Sequence, residues 1–166
     1  MKIRPIRDHE APVLARITLA VYLDEFGFLP DDYIAELTDV LGRLGEAHVL
    51  VAVDDDDEVL GGITYVDRPG RLASIDRPDQ VELRMLAVGP EAQGRGVGTA
   101  LVQACLDQAR ADGKREVMLH TAASMRRAQR LYERMGFRRA ADRDLVVEGG
   151  VDEGGIHLLA YILDIE

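Results

Sequence analysis

The stretch Gln93-Gly94-Arg95-Gly96-Val97-Gly98-Thr99 sets three glycines at alternate positions directly before a helical pattern. Glycine loses more backbone entropy on folding than any other residue, so this density marks a place where something approaches the chain closely. Amide N–H groups at a helix N-terminus have no intrahelical acceptor, and the dipole there favours negative charge. A phosphate suits such a loop, with the Arg95 guanidinium as an additional charge-assisted donor. A nucleoside triphosphate loop would need a lysine before Ser or Thr, but Gly98 precedes Thr99. A dinucleotide fingerprint would need glycine where Thr99 stands. Its acidic partner, Asp112, would also fall at the end of a helix and not after a second strand. A pyrophosphate held by a helix that follows a strand is the reading left.

The elements that must position this loop follow from the apolar periodicity. A strand over 81–88 leads into it, and a helix from Gly96 or Val97 runs to about Ala111, closed by Asp112-Gly113. Upstream, the pattern predicts a strand over 3–6 and a helix capped by Asp8, with Val13, Leu14, Ile17 and Val21 on one face. A second helix carries Tyr33, Ile34, Leu37, Val40, Leu41 and Leu44 at helical spacing. Strands over 49–53 and 58–66 flank the Asp54–Asp57 run. That run lacks the alternating ligands and the glycine of a calcium loop and reads as a solvated turn. Downstream come a strand over 116–120, a helix over 124–135 stopped by Gly136, and strands over 137–146 and 156–164. The order β-α-α-β-β-β-α-β-α-β-β describes a mixed α/β sheet and not a regular βαβ alternation.

Composition narrows the function classes. The chain of 166 residues suits one domain, and its 47% hydrophobic content can build a core. A net charge of −10 argues against nonspecific binding to nucleic acid and is compatible with cationic small substrates. No apolar run reaches bilayer length and the N-terminus does not read as a signal peptide, so neither a membrane nor export is expected. Cys105 is the only cysteine and reads as a small core residue. A soluble, cytoplasmic location is the expectation.

Gln93-Gly94-Arg95-Gly96-Val97-Gly98 matches the pattern Q/R-x-x-G-x-G/A, and here the chain resembles the GCN5-related N-acetyltransferase family, which uses that motif for the pyrophosphate of acyl-CoA. The segment from Glu82 to Val88, followed by Gly89-Pro90, looks like the family's fourth strand and its exit turn. The segment from Ala128 to Phe137 looks like its A-x-x-L-Y-x-x-x-G-F helix end. The resemblance covers about residues 81–137. It implies a single-domain acyl-CoA N-acyltransferase fold over residues 1–166, with a mixed, mostly antiparallel sheet and helices on both faces. It also implies direct transfer of an acetyl group from acetyl-CoA, with no metal, to the amine of a small molecule or peptide.

The same resemblance implies residue roles. Backbone groups along Leu86, Ala87 and Val88 would bond the pantetheine arm, and a bulge would free an N–H near Leu86 to polarise the thioester carbonyl. Gln93, Gly94, Arg95, Gly96, Val97, Gly98 and Thr99 would cradle the pyrophosphate. Glu82 would be the base for the amine. Orienting the substrate and pairing with Arg84 are its alternatives, and strand alternation sets it on the face of Leu86 unless a bulge intervenes. Tyr132 would donate a proton or a hydrogen bond to the leaving thiolate. Where the family often carries an asparagine, this chain has Met125, so that bond is lost or comes from another group such as Ser124. Arg126, Arg127 and Arg130 reach phosphates or stay solvated, and His120 and His157 are alternative bases or structural residues. Acceptor recognition would fall to residues 22–33, 68–78 and 148–155. There Asp24, Glu25, Asp31, Asp32, Asp76, Glu148 and Asp152 suggest a cationic acceptor. A non-catalytic acyl-CoA-binding module is the rival reading, and a homodimer stays open.

Overall fold

Strand β2 (His48–Val53) shows why this sheet is covered twice. Successive side chains of a strand point to opposite faces. Val49, Val51 and Val53 pack with Ala11 and Leu14 of helix α1 (Ala11–Phe26), whereas Leu50 and Ala52 join Leu101, Val102, Cys105 and Leu106 of helix α4 (Val97–Ala111). The computed structural model describes residues 1–147 and 155–165. The remaining elements are β1 (Lys2–Pro5), α2 (Asp31–Thr38), α3 (Val40–Arg43), β3 (Val59–Val66), β4 (Gln80–Val88), β5 (Glu116–Ala122), α5 (Arg126–Arg134), β6 (Arg138–Arg139), β7 (Leu145–Val147) and β8 (Ile156–Asp164).

The strand order is β1-β2-β3-β4-β5-β8-β6, with β7 also on β8. Only β4 and β5 run parallel, so the sheet is mixed and mostly antiparallel, as the resemblance implied. Helices α4 and α5 cover one face, and α1 and α2 the other. Helix α1 lies directly on β3. A Cβ at Gly62 would stand 2.7 and 2.8 Å from the Leu14 methyls, so glycine here leaves room for the Leu14 side chain against the sheet. Cys105 is fully buried, which pushes its thiol up to about 12.

Four local expectations change. Asp8 lies inside a 3-10 turn and caps no helix; Glu10 holds this corner, accepting from the Arg7 amide and from both terminal nitrogens of Arg4, each at 2.8 Å. The second helix breaks at Asp39, whose carboxylate takes the Gly42 amide at 3.0 Å, and Leu41 is left 53% exposed. The Asp turn is not purely solvated, because Asp57 pairs with Arg4 and Arg7. The strand expected over 137–146 is interrupted by a 3-10 turn at Ala141–Arg143, after which Asp144 accepts the Ala160 amide at 2.7 Å.

Candidate active site

The site begins where two strands part. Parallel pairing of β4 with β5 runs from Gln80↔Glu116 to Leu83↔Leu119 and stops, although both strands continue. Strand β5 stays on β8 as far as Ala122↔Leu158, so the gap opens on the β4 side. There the register with β3 slips: Gly62 faces Ala87 and Thr64 faces Arg84, so β4 spends one extra residue. The extra residue is accommodated at Met85, which holds φ 55, a left-handed conformation costing about 1–2 kcal/mol for a non-glycine residue. This bulge breaks the alternation. Met85 packs with Leu29 and Leu37 beneath α1 and α2, whereas Leu86 and Val88 pack with the α4 cluster. Glu82 and Leu86 therefore do not share a face, contrary to simple alternation.

Beyond the bulge, a cleft of about 520 Å³ is lined by Leu86, Val88, Gln93, Gly94, Gly96 through Thr99, and residues of α5. Among the described residues, no acceptor meets the amides from Gly94 to Thr99; the first bond of the turn is Ala100 N–H to the Gly96 carbonyl at 3.0 Å. Gly94 and Gly96 both sit at φ 78, and no atom lies within 4 Å of a Cβ built on either. Their missing side chains leave open space over the helix end, the arrangement that binds phosphate. The Gln93 side chain fixes the loop: its Nε2 donates to the Val88 carbonyl at 3.3 Å, and its Oε1 accepts from Arg127 at 3.2 Å.

Two members of the expected set do not line this cleft. Ala87 is buried, 1% exposed. Arg95 turns away into a hollow beside Arg16, Ile17 and Leu60. Its place is taken by Arg126, Arg127 and Arg134 of α5; Arg130 is not in the lining. Met125 and Ser124 both line the cleft, and the Met125 sulfur accepts the Thr121 hydroxyl at 3.8 Å.

Tyr132 lies at the inner end, on a narrow cavity of about 50 Å³ shared with Leu86, His120, Thr121 and Met125. Its ring is held against Phe137 and Tyr161, at 5.9 and 6.2 Å between centroids, and its hydroxyl has no partner among the described residues. Burial raises its pKa further, so the phenol keeps its proton.

Glu82 is 2% exposed and faces a second pocket, of about 90 Å³, walled by Tyr22, Phe26 and Tyr33. Its Oε1 accepts the Ser74 amide at 3.1 Å, and Arg84 Nε stands 3.7 Å from its Oε2. Burial raises its pKa, and Arg84, the Ser74 amide and His120 hold back part of the rise. His120 donates from Nε2 to the Arg143 carbonyl at 2.9 Å, which leaves Nδ1 facing Glu82 at 4.0 Å. His157 is exposed and lines neither cavity. Asp24, Asp31, Asp32 and Asp76 are exposed and outside this pocket, Glu25 lines the larger cleft, and Glu148 and Asp152 lie outside the described residues. The aromatic wall was not foreseen; the helical spacing of Tyr22 and Phe26, four apart, was its signal.

The model of the acetyltransferase (GNAT) family matches residues 14–137. A mycothiol acetyltransferase of Pseudarthrobacter chlorophenolicus is 37% identical over 82% of this chain and 42% of its own length. The chain spans less than half the length of the curated relatives it matches. Among solved structures, a GNAT-family acetyltransferase of Staphylococcus aureus Mu50 superposes with a TM-score of 0.78 at 16% identity, over 99% of both chains. The protein yncA of Salmonella typhimurium, solved with acetyl-CoA, gives 0.75 at 23% identity over 99% of this chain and 94% of its own. With a parted β4–β5 pair, an unpartnered helix end and a family model spanning most of its length, the chain belongs to the GNAT acetyltransferase family.

Proposed function

We propose that this protein transfers an acetyl group from acetyl-CoA directly to the amine of a small molecule or peptide. One observation carries the reading: the open β4–β5 gap meets the unpartnered N-terminus of α4 on one side and the Glu82 pocket on the other. The donor fits the residues present. Amides from Gly94 to Thr99, with Arg126 and Arg127, would hold its pyrophosphate, and the edge of β4 would hold its arm. Acetyl-CoA supplies the thioester carbonyl.

The chain's own groups do the rest. Glu82 takes one proton from the incoming ammonium, because only the neutral amine attacks. The amine nitrogen forms the new C–N bond as the C–S bond breaks. An N–H freed at the bulge polarises the carbonyl, a role worth about 3 kcal/mol for one such donor. Tyr132 donates to the departing sulfur, and the second amine proton leaves through solvent. The reacting amine arrives as an ammonium group, and the exposed carboxylates Asp31 and Asp32 precede the pocket wall at Tyr33. None of the described helices is long and apolar enough to cross a membrane, and the cytoplasm is the proposed compartment.

The test is CoA release from acetyl-CoA, followed with a thiol reagent across a panel of amines. Release with at least one amine is expected. Thermal stabilisation by acetyl-CoA without release under any acceptor would assign the chain to the non-catalytic binding modules.

A further inference from the structure

The pocket beside Glu82 holds a cation as well as a base. Arg84 projects from the same strand, two residues on, and its side chain is 28% exposed. Its Nη1 donates to the Leu72 carbonyl. Its Nη2 donates to Glu36 Oε1 at 3.4 Å, and its Nε forms a longer ion pair with Glu82 Oε2 at 3.7 Å. A guanidinium carries five N–H donors, and these contacts face three of them, which leaves two for a ligand. Behind it stands Arg43, 2% exposed, with Nη1 on the Glu36 and Leu37 carbonyls and no partner for Nε. Burial and the charge of Arg84 both lower the pKa of Arg43, while Asp39 and Glu36 oppose them.

The pocket therefore presents a carboxylate and a guanidinium side by side, backed by Tyr22, Phe26 and Tyr33, in about 90 Å³. A zwitterion with its ammonium and carboxylate on a single carbon complements the pair. A polyamine or an aminoglycoside would bring a second cation against Arg84. We infer that the acceptor is a free α-amino acid with an apolar or aromatic side chain, its ammonium at Glu82, its carboxylate at Arg84 and its side chain against the three aromatic rings. This rests on the acetyl-transfer reading. In the transfer, the α-nitrogen gains the acetyl carbon and loses two protons, one to the CoA sulfur and one through Glu82 to solvent.

Two measurements test it. The first is thiol release with phenylalanine against phenethylamine, the same amine without the carboxylate. Phenylalanine should lead by a hundredfold or more in kcat/KM. Arg84→Gln should shrink that ratio below tenfold through KM, and Arg84→Lys should restore it in part, since lysine keeps the charge and loses the fork. Equal turnover of the two acceptors, or an undiminished ratio in Arg84→Gln, overturns the inference. The second is calorimetric binding of the same pair to wild-type protein saturated with CoA, which needs no turnover. At least tenfold tighter binding of phenylalanine is expected, and equal or weaker binding overturns the inference. Selective binding with no thiol release would retain the zwitterion slot and refute acetyl transfer instead.

Discussion

Replacing Tyr132 with phenylalanine isolates one hydroxyl. No hydrogen bond to a described residue is lost, and the ring contacts with Phe137 and Tyr161 remain, so stability should hold within about 1 kcal/mol. The kinetic effect follows from acidity. An alkyl thiol has a pKa near about 8.5 and an ordinary phenol about 10, and burial pushes Tyr132 higher still. Handing the proton fully to the thiolate is thus uphill by about 2 kcal/mol or more, at 1.36 kcal/mol for each pKa unit. The hydroxyl acts chiefly by hydrogen-bonding the charge that grows on sulfur, and solvent completes the protonation. A hydrogen bond to a charged group contributes about 1.5–3 kcal/mol. At 1.36 kcal/mol per factor of ten, Tyr132→Phe should lower kcat about 10- to 150-fold. Because burial keeps the phenol protonated, the deficit should be constant between about pH 6 and 9. Stopped-flow thiol release gives kcat, and calorimetry gives the acetyl-CoA Kd, which should not move. A kcat within twofold of wild type, or a loss confined to Kd, would refute the assignment.

Four further outcomes are expected. Glu82 must be ionised to accept a proton, so kcat/KM should fall on acidification with an apparent pKa above 4.5, and Glu82→Gln should remove both the activity and that limb. Its raised folded-state pKa gives stability that is present below the unfolded value and lost as pH rises through the folded one. Chemical denaturation should therefore show wild type losing ground to Glu82→Gln from about pH 4.5 upward. Gly96→Ala puts a methyl at φ 78 in space no protein atom occupies. It should cost only about 1 kcal/mol of stability while weakening acetyl-CoA tenfold or more, and an unchanged Kd would show that the phosphates sit elsewhere. Gly62→Ala drives a Cβ to 2.7 Å from Leu14 and should lower stability by about 1–3 kcal/mol in a urea titration, leaving the m-value intact.

What could be read in the sequence was whatever a short segment decides for itself. The loop from Gln93 to Thr99 was legible because close approach to a backbone demands glycine in place, and α4 followed because its apolar period starts at once. Features set by distant segments were not legible. Arg95 looked like a phosphate ligand by adjacency, yet the left-handed turns at Gly94 and Gly96 carry it toward α1, while arginines more than thirty residues on come to the cleft. The break at Asp39 defeats an apolar period that continues through Leu41, because a carboxylate captures the Gly42 amide. The pocket beside Glu82 takes walls from α1 and α2, its charged groups from β4 and further lining from β5, a grouping no local window contains.

The bulge at Met85 is the least legible feature and the one on which the proposed chemistry most depends. No glycine, proline or asparagine marks it; methionine holds a positive φ because pairing with β3 leaves one residue too many. In a regular strand, residues 82 and 86 would share a face, and a base on that face would lie on the same side as the strand's contact with the donor. The extra residue separates them: Glu82 goes with the aromatic pocket under α1 and α2, and Leu86 with the cleft against α4 and α5. Each of the two proposed substrates then has its own wall. The two meet only in the gap where β4 and β5 no longer pair, which is the geometry a direct transfer between two bound substrates requires.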